Sequence, residues 1–193
     1  MTEQEVEILL TQTKAIMKGH FLLTSGLHSD TYVEKFQLLQ YPQYTSQLCE
    51  ELAKRFQDDK IDVVIGPAVG GIIIAHEVAK ALGTRFIFTE REENGIMTLR
   101  RGFEINPGER VLVVEDIVTT GGSVQEVLNV VLAHGGALAG VGLLVDRSDG
   151  QVKFGNLKTE ALLHLSIPTH KANDCPLCHY EMPITKRGSR KTR

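Results

Sequence analysis

Val111-Leu112-Val113-Val114-Glu115-Asp116-Ile117-Val118-Thr119-Thr120-Gly121-Gly122-Ser123 is the stretch that decides the fold class. Four apolar residues in a row, without polar alternation, predict a short strand buried on both faces, as in a parallel sheet covered by helices. Two carboxylates follow at the strand's carboxyl end, the edge where open α/β sheets bind their ligands. Thr119 to Ser123 then turns the chain into an apolar-periodic helix that reads to His134 and stops at Gly135-Gly136. Glycines allow close backbone approach, and the amides and dipole at a helix N-terminus attract an anion. The hydroxyls of Thr119, Thr120 and Ser123 add donors. The turn lacks the Gly-Lys-Ser/Thr ending of a nucleoside-triphosphate loop. It reads as a phosphate cradle beside two acids, which suit adjacent sugar hydroxyls or one hydroxyl and a metal shell.

Outward from this stretch, the same rhythm repeats. Ile61 to Ile65 predicts a strand that runs into Gly66-Pro67 and a helix over Ile72 to Leu82, stopped at Gly83. Further strands are predicted at Arg85–Phe88, Gly140–Val145 and Ala161–Leu165. Short apolar strands alternating with helices make an α/β fold with a central parallel sheet flanked by helices. Thr2 and Glu5 have capping-box spacing, and Val6, Leu9, Leu10, Thr13, Ile16 and Met17 predict a helix over residues 3–18. Pro42 opens another helix, marked by Leu48, Leu52 and Phe56. Residues 20–41 read as a polar, glycine-containing connection. Thr89 to Arg110 is long and charged, which marks a functional lid, and a hairpin is expected around Met97 to Ile105.

Composition sets the outer bounds. The 193 residues suit one domain, expected over 1–185, and the 42% hydrophobic and 23% charged content is that of a globular chain. Net charge is −3, which gives no global electrostatic case for a nucleic-acid partner. Five of the last eight residues are cationic, so residues 186–193 are expected to form a disordered basic tail. The longest apolar run, Val63 to Ala75, is interrupted by Gly66, Pro67, Gly70 and Gly71, and no membrane span is expected. Three cysteines behind an acidic N-terminus point to reduced thiols and a cytoplasmic location.

The Val111–Ser123 run resembles the phosphoribosyl-pyrophosphate signature of the type I phosphoribosyltransferases. The resemblance implies that fold, with a flexible hood loop and an N-terminal base-binding segment. It assigns Glu115 and Asp116 to the ribose hydroxyls, the turn Thr119, Thr120, Gly121, Gly122 and Ser123 to the 5′-phosphate, and Ile117 and Val118 to phosphoribosyl pyrophosphate as well. Gly66-Pro67-Ala68-Val69-Gly70-Gly71 is similar to the family's pyrophosphate loop, often built on a non-proline cis peptide, and places Val69 and Gly70 on that group. Three features resemble the orotate phosphoribosyltransferases in particular. Gly19 to Tyr32 matches their N-terminal segment, which implies that Tyr32 stacks on the base. Arg147 after Val145-Asp146 matches the arginine that pairs with the orotate carboxylate, a bidentate contact that lysine would not reproduce. Phe88 to Phe103 is similar to the mobile loop, with Arg91, Arg100 and Arg101 as its candidate catalytic cations beside Asp116. Thr119 is also assigned to orotate.

The implied reaction is transfer of ribose 5-phosphate from phosphoribosyl pyrophosphate to orotate. Mg²⁺ would be held mainly through the substrate near Asp116, in a homodimer with shared sites. The sequence departs from the family pattern at several positions. Thr24, assigned to phosphoribosyl pyrophosphate, stands where a lysine is usual; Val33, assigned to orotate, stands where a second stacking aromatic is usual; and Val69-Gly70 stands where Tyr-Lys is usual. Neither lysine nor histidine lies between Arg85 and Arg110, and Arg100 and Arg101 are the candidates to supply that charge. A purine or other acceptor base, and a non-catalytic regulator that binds phosphoribosyl pyrophosphate, are the alternatives.

Cys175-Pro176-Leu177-Cys178 is a lone Cys-x-x-Cys with His170 and His179 nearby. A structural zinc site wants four ligands, and packed or exposed thiols are the reading that the sequence favours. His20, His28, His76, His134 and His164 read as packing or surface residues, with His28 singled out because it lies in the base-binding segment.

Overall fold

The computed structural model describes residues 1–23 and 25–187. The chain begins with α1 (Glu3–Gln12), capped by the expected box: Glu5 N donates to Thr2 Oγ1 at 3.3 Å, and Thr2 N to Glu5 Oε2 at 2.8 Å. The helix ends six residues before the predicted position. The Thr13 hydroxyl donates back to the carbonyls of Leu9 and Leu10, and Lys14 takes φ +58°. Ile16 and Met17, expected on that helix, instead open β1 (Ile16–Leu22), which pairs antiparallel with β2 (His28–Val33). The predicted polar connection over 20–41 is thus largely a hairpin followed by a short helix, α2 (Lys35–Leu39).

The remaining elements follow the α/β rhythm: α3 (Pro42–Lys54), β3 (Val63–Pro67), α4 (Gly70–Leu82), β4 (Arg85–Arg91), β5 (Met97–Leu99), β6 (Arg110–Val118), α5 (Gly122–Ala133), β7 (Ala137–Asp146) and β8 (Thr159–His164). Six strands form one sheet in the order β5-β4-β3-β6-β7-β8, parallel except for β5. The hairpin expected over Met97–Ile105 sits earlier, between β4 and β5. Its turn closes at Glu92 N to Ile96 O and Gly95 N to Glu92 O. Met97 opens β5 on that hairpin and Ile105 lies beyond it, and both are buried core residues.

Period-two alternation divides the sheet between two cores. Val64, Leu112, Val114 and Leu144 face the layer that holds α1, α3 and α4. Val63, Val111, Val113 and Leu143 face α5, where Val124, Val127, Leu128 and Val131 cover them. The chain leaves β3 through α4 toward one edge, and β6 through α5 toward the other. The carboxyl ends of adjacent β3 and β6 therefore form the switch point at which such sheets bind ligands.

A second, smaller sheet joins the two ends of the chain. Its order is β10-β1-β2-β9, with β9 (Thr169–His170) and β10 (Thr185–Lys186) on either side of the hairpin. Between them lie a 3₁₀ turn (Ala172–Asp174) and α6 (Pro176–His179). Lys186, expected to begin the tail, pairs in register with Leu22. The tail residues from Gly188 onward, and Thr24, lie outside the described residues.

Candidate active site

Alternation along β6 sends its two terminal acids in opposite directions. Glu115, in phase with Val111 and Val113, opens on the α5 side into the cavity lined by the Ile117–Ser123 turn. Asp116, in phase with Leu112 and Val114, points to the other layer, against Lys35 and Leu38. Both are almost wholly buried. Burial, and then the neighbouring Asp116 charge, push the Glu115 carboxyl up to about 8. Burial also raises Asp116, and the Lys35 ammonium opposes it.

Lys35 is the cation that the sequence reading missed. Its Nζ lies 2.8 Å from Asp116 Oδ2 and 3.1 Å from Oδ1. The cradle thus has a cationic side chain beside its second acid, delivered by α2. The available signal was modest: Lys35 is the sole lysine or arginine between Lys18 and Lys54.

Of the two loops at the switch point, the one after β3 meets Asp116 and Lys35 at Gly70. A Cβ there would lie 1.6 Å from Asp116 Oδ2 and 3.1 Å from Lys35 Nζ. No side chain fits without displacing the ion pair. The preceding Ala68–Val69 peptide is cis, as the family resemblance implied, and Val69 is 65% exposed beside it. At the second loop Gly121 takes φ +76°, and its Cβ would meet Val152 Cγ1 at 2.6 Å. Glycine is required there by both conformation and space. Thr119 and Thr120 stand exposed at the mouth, while Val118 packs into the core.

Arg147 follows β7 at the same edge. Its backbone N–H donates to Val118 O at 2.8 Å, fastening it to the cradle strand. Buried Asp146 organises the loop behind it: Ser148 N and Oγ donate to Oδ1, both at 2.7 Å, and Gly150 N donates to Oδ2 at 3.0 Å. The Nε of Arg147 is buried and has no hydrogen-bond partner among the described residues. Burial lowers the guanidinium's affinity for its proton, and the Tyr32 hydroxyl nearby acts in the opposite direction. Tyr32 is half-buried, 5.5 Å from the Phe21 ring between centroids. Val33 packs against the helical core and belongs to the apolar lining under Lys35.

Arg91, Arg100 and Arg101 are engaged elsewhere. Arg91 pairs with Glu126 of α5 at 2.6 Å and donates to Gly95 O. Arg101 makes a two-point contact with Glu90 at 2.9 and 3.0 Å, and Arg100 lies 3.6 Å from the same carboxylate. No ion pair or hydrogen bond joins these three to the Glu115–Ser123 turn among the described residues.

A parallel sheet with a hydroxyl-rich glycine turn and paired acids at its switch point is matched by one family description. Residues 37–158 match the phosphoribosyl transferase domain. Two relatives named orotate phosphoribosyltransferase extend the match over the rest of the chain. That of Desulforamulus reducens is 54% identical over 190 residues, covering 98% of each chain. That of Pelotomaculum thermopropionicum is 56% identical over 191 residues, covering 99% of this chain and all of its own. This chain belongs to the orotate phosphoribosyltransferase family. The crystal structure of orotate phosphoribosyltransferase from Aeropyrum pernix superimposes with a TM-score of 0.71 at 25% identity, over 83% of this chain and 93% of that one. Family membership confirms the type I phosphoribosyltransferase fold expected from the sequence, including the parallel sheet that sets the site.

Proposed function

We propose that the chain is a glycosyltransferase of pyrimidine biosynthesis that moves ribose 5-phosphate from phosphoribosyl pyrophosphate to N1 of orotate. The products are orotidine monophosphate and pyrophosphate. The observation that carries the acceptor is Arg147: a half-buried guanidinium whose Nε is buried and unpaired among the described residues, held beside the cradle and next to an aromatic. A planar acid with a carboxylate is what such a group binds best. In this reading Tyr32 stacks on the base and Thr119 lies between base and phosphate.

The roles on the donor side follow from position. The Thr119–Ser123 amides and hydroxyls hold the 5′-phosphate, Glu115 and Asp116 accept from the ribose hydroxyls, and the Ala68–Gly71 loop receives the pyrophosphate. As pyrophosphate leaves, the sugar gains oxocarbenium character, so the work is positioning and charge stabilisation and needs no nucleophilic side chain. The hard carboxylate oxygens of Glu115 and Asp116 fit Mg²⁺, although Lys35 already neutralises one of them, which favours a metal held mainly through substrate oxygens. When bound, Mg²⁺ neutralises charge on the leaving group.

Arg91, Arg100 and Arg101 are the chain's loop cations for the leaving group. Their present partners, Glu90 and Glu126, are exchanged for substrate when the lid closes. The family's loop reaches the neighbouring subunit's site, which supports a homodimer. Among the described residues no helix is long and apolar enough to cross a membrane. We read the chain as cytoplasmic, with small molecules as its substrates. The test is loss of orotate absorbance on mixing the protein with phosphoribosyl pyrophosphate. Turnover that requires Mg²⁺ and is lost in Asp116→Asn supports the proposal. No turnover, despite tight binding of phosphoribosyl pyrophosphate, would move the acceptor to another base.

A further inference from the structure

In the smaller sheet, four side chains from both ends of the chain converge. His20 of β1 and His28 of β2 meet Cys175 and Cys178 at the start and middle of α6, with all four ligating atoms within 4.8 Å of one another. His20 Nε2 lies 3.0 Å from His28 Nδ1, 3.6 Å from Cys175 Sγ and 3.7 Å from Cys178 Sγ. His28 Nδ1 lies 3.2 Å from Cys178 Sγ. A tetrahedral zinc ion bound at about 2.3 Å to sulfur and about 2.0–2.1 Å to nitrogen separates S and N ligands by about 3.5 Å, and two N ligands by about 3.3 Å. Four of the six separations stand near those values, and the other two are within 4.8 Å.

Protonation of the first imidazole also fits. A backbone carbonyl only accepts, and Met182 O lies 2.8 Å from His20 Nδ1. Nδ1 is therefore the donor, and Nε2 is the ring nitrogen that faces the cysteines. An imidazole oriented through its far nitrogen onto a carbonyl is the usual outer support of a metal-bound histidine. Three of the four residues are buried, and none is in a disulfide.

The surrounding segment explains why such a centre is needed. Between β9 and β10, Cys175 is the one buried residue, while Tyr180, Met182 and Ile184 are 81%, 43% and 46% exposed. Two-residue strands and one buried thiol are a weak hold for a stretch that must close the smaller sheet. A four-ligand ion would supply it, since metal binding to such a segment is folding free energy.

We propose that His20, His28, Cys175 and Cys178 form a structural zinc site that staples the C-terminal segment to the β1–β2 hairpin. The ligands close the tetrahedron, which leaves the ion no open position for catalysis. The sequence had offered His170 and His179 as companions of the two cysteines. His170 instead lies opposite His28 in the β2–β9 pairing, and His179 is exposed.

Elemental analysis of the untagged chain, grown with zinc, should find about one zinc per chain. Exchange for Co²⁺ should give the visible bands of a tetrahedral, thiolate-bound ion. Cys178→Ser and His28→Ala should each lose most of the metal, with tryptic cleavage at Lys171 becoming faster in both and in the chelator-treated wild type. A wild-type chain that stays metal-free and gives no tetrahedral Co²⁺ spectrum would overturn the proposal. So would a Cys175–Cys178 disulfide in freshly purified protein, or full zinc content in both variants.

Discussion

The β6–α5 turn and the small terminal sheet are built on opposite plans. In the turn, nine consecutive residues from Glu115 to Ser123 carry acids, hydroxyls and amides to one point, so local chain geometry does most of the work. In the terminal sheet, the four converging groups span His20 to Cys178, and only tertiary pairing brings them together. A site of the first kind is set by close backbone approach and should fail through sterics. A site of the second kind is set by a staple and should fail through local unfolding.

The largest effect should come from filling the space between Gly70 and Asp116. Gly70→Ala places a methyl on Asp116 Oδ2, and displacement of this order costs about 100-fold in kcat/KM. Calorimetric titration should show phosphoribosyl pyrophosphate binding lost while the protection of Lys171 from trypsin is kept. Loss of both together would mean that the two regions are not independent.

Removing the counter-cation is a milder injury. Lys35→Met leaves Asp116 buried without its partner and should destabilise the substrate-free protein by about 1–3 kcal/mol, read by denaturant unfolding. The loss should shrink as Mg²⁺ and phosphoribosyl pyrophosphate are added, because they supply positive charge and donors to the same carboxylate.

Glu115 gives a pH signature. Its carboxyl, ordinarily near 4.5, is held at about 8, so the folded protein binds a proton that the unfolded chain releases. Stability from this group is full below 4.5 and is lost as pH rises toward 8. The melting temperature of the substrate-free protein should therefore fall over that window, with a shallower fall in Glu115→Gln. Because ribose hydroxyls favour the carboxylate, binding of phosphoribosyl pyrophosphate should release protons near neutral pH, detected as a buffer-dependent heat. An unchanged slope in Glu115→Gln would remove this residue from the account.

The smallest effect is expected at the hairpin. Arg101→Ala breaks an exposed pair with Glu90 and should leave the melting temperature nearly unchanged, since such pairs contribute little. Under the proposed closure it should still lower kcat several-fold, which stopped-flow turnover would measure.

Legibility followed the same division. The strand-turn-helix at 111–134 and the loop after β3 were readable because buried parallel strands, glycine turns and helix starts are local signals. The end of α1 was not readable, because Ile16 and Met17 keep helical spacing while Thr13 and Lys14 turn the backbone away. Lys35 stayed hidden because its meaning depends on α2 lying against β6. His20 looked like packing, since nothing local joins it to a cysteine 155 residues later.

The most direct test of the central claim compares two acceptors that differ in the carboxylate alone. With phosphoribosyl pyrophosphate and Mg²⁺ saturating, kcat/KM for orotate should exceed that for uracil by a large factor in the wild type. In Arg147→Ala the orotate value should fall by about 100-fold or more, with binding of phosphoribosyl pyrophosphate nearly unchanged. An undiminished preference for orotate in Arg147→Ala would contradict the assignment of the acceptor site.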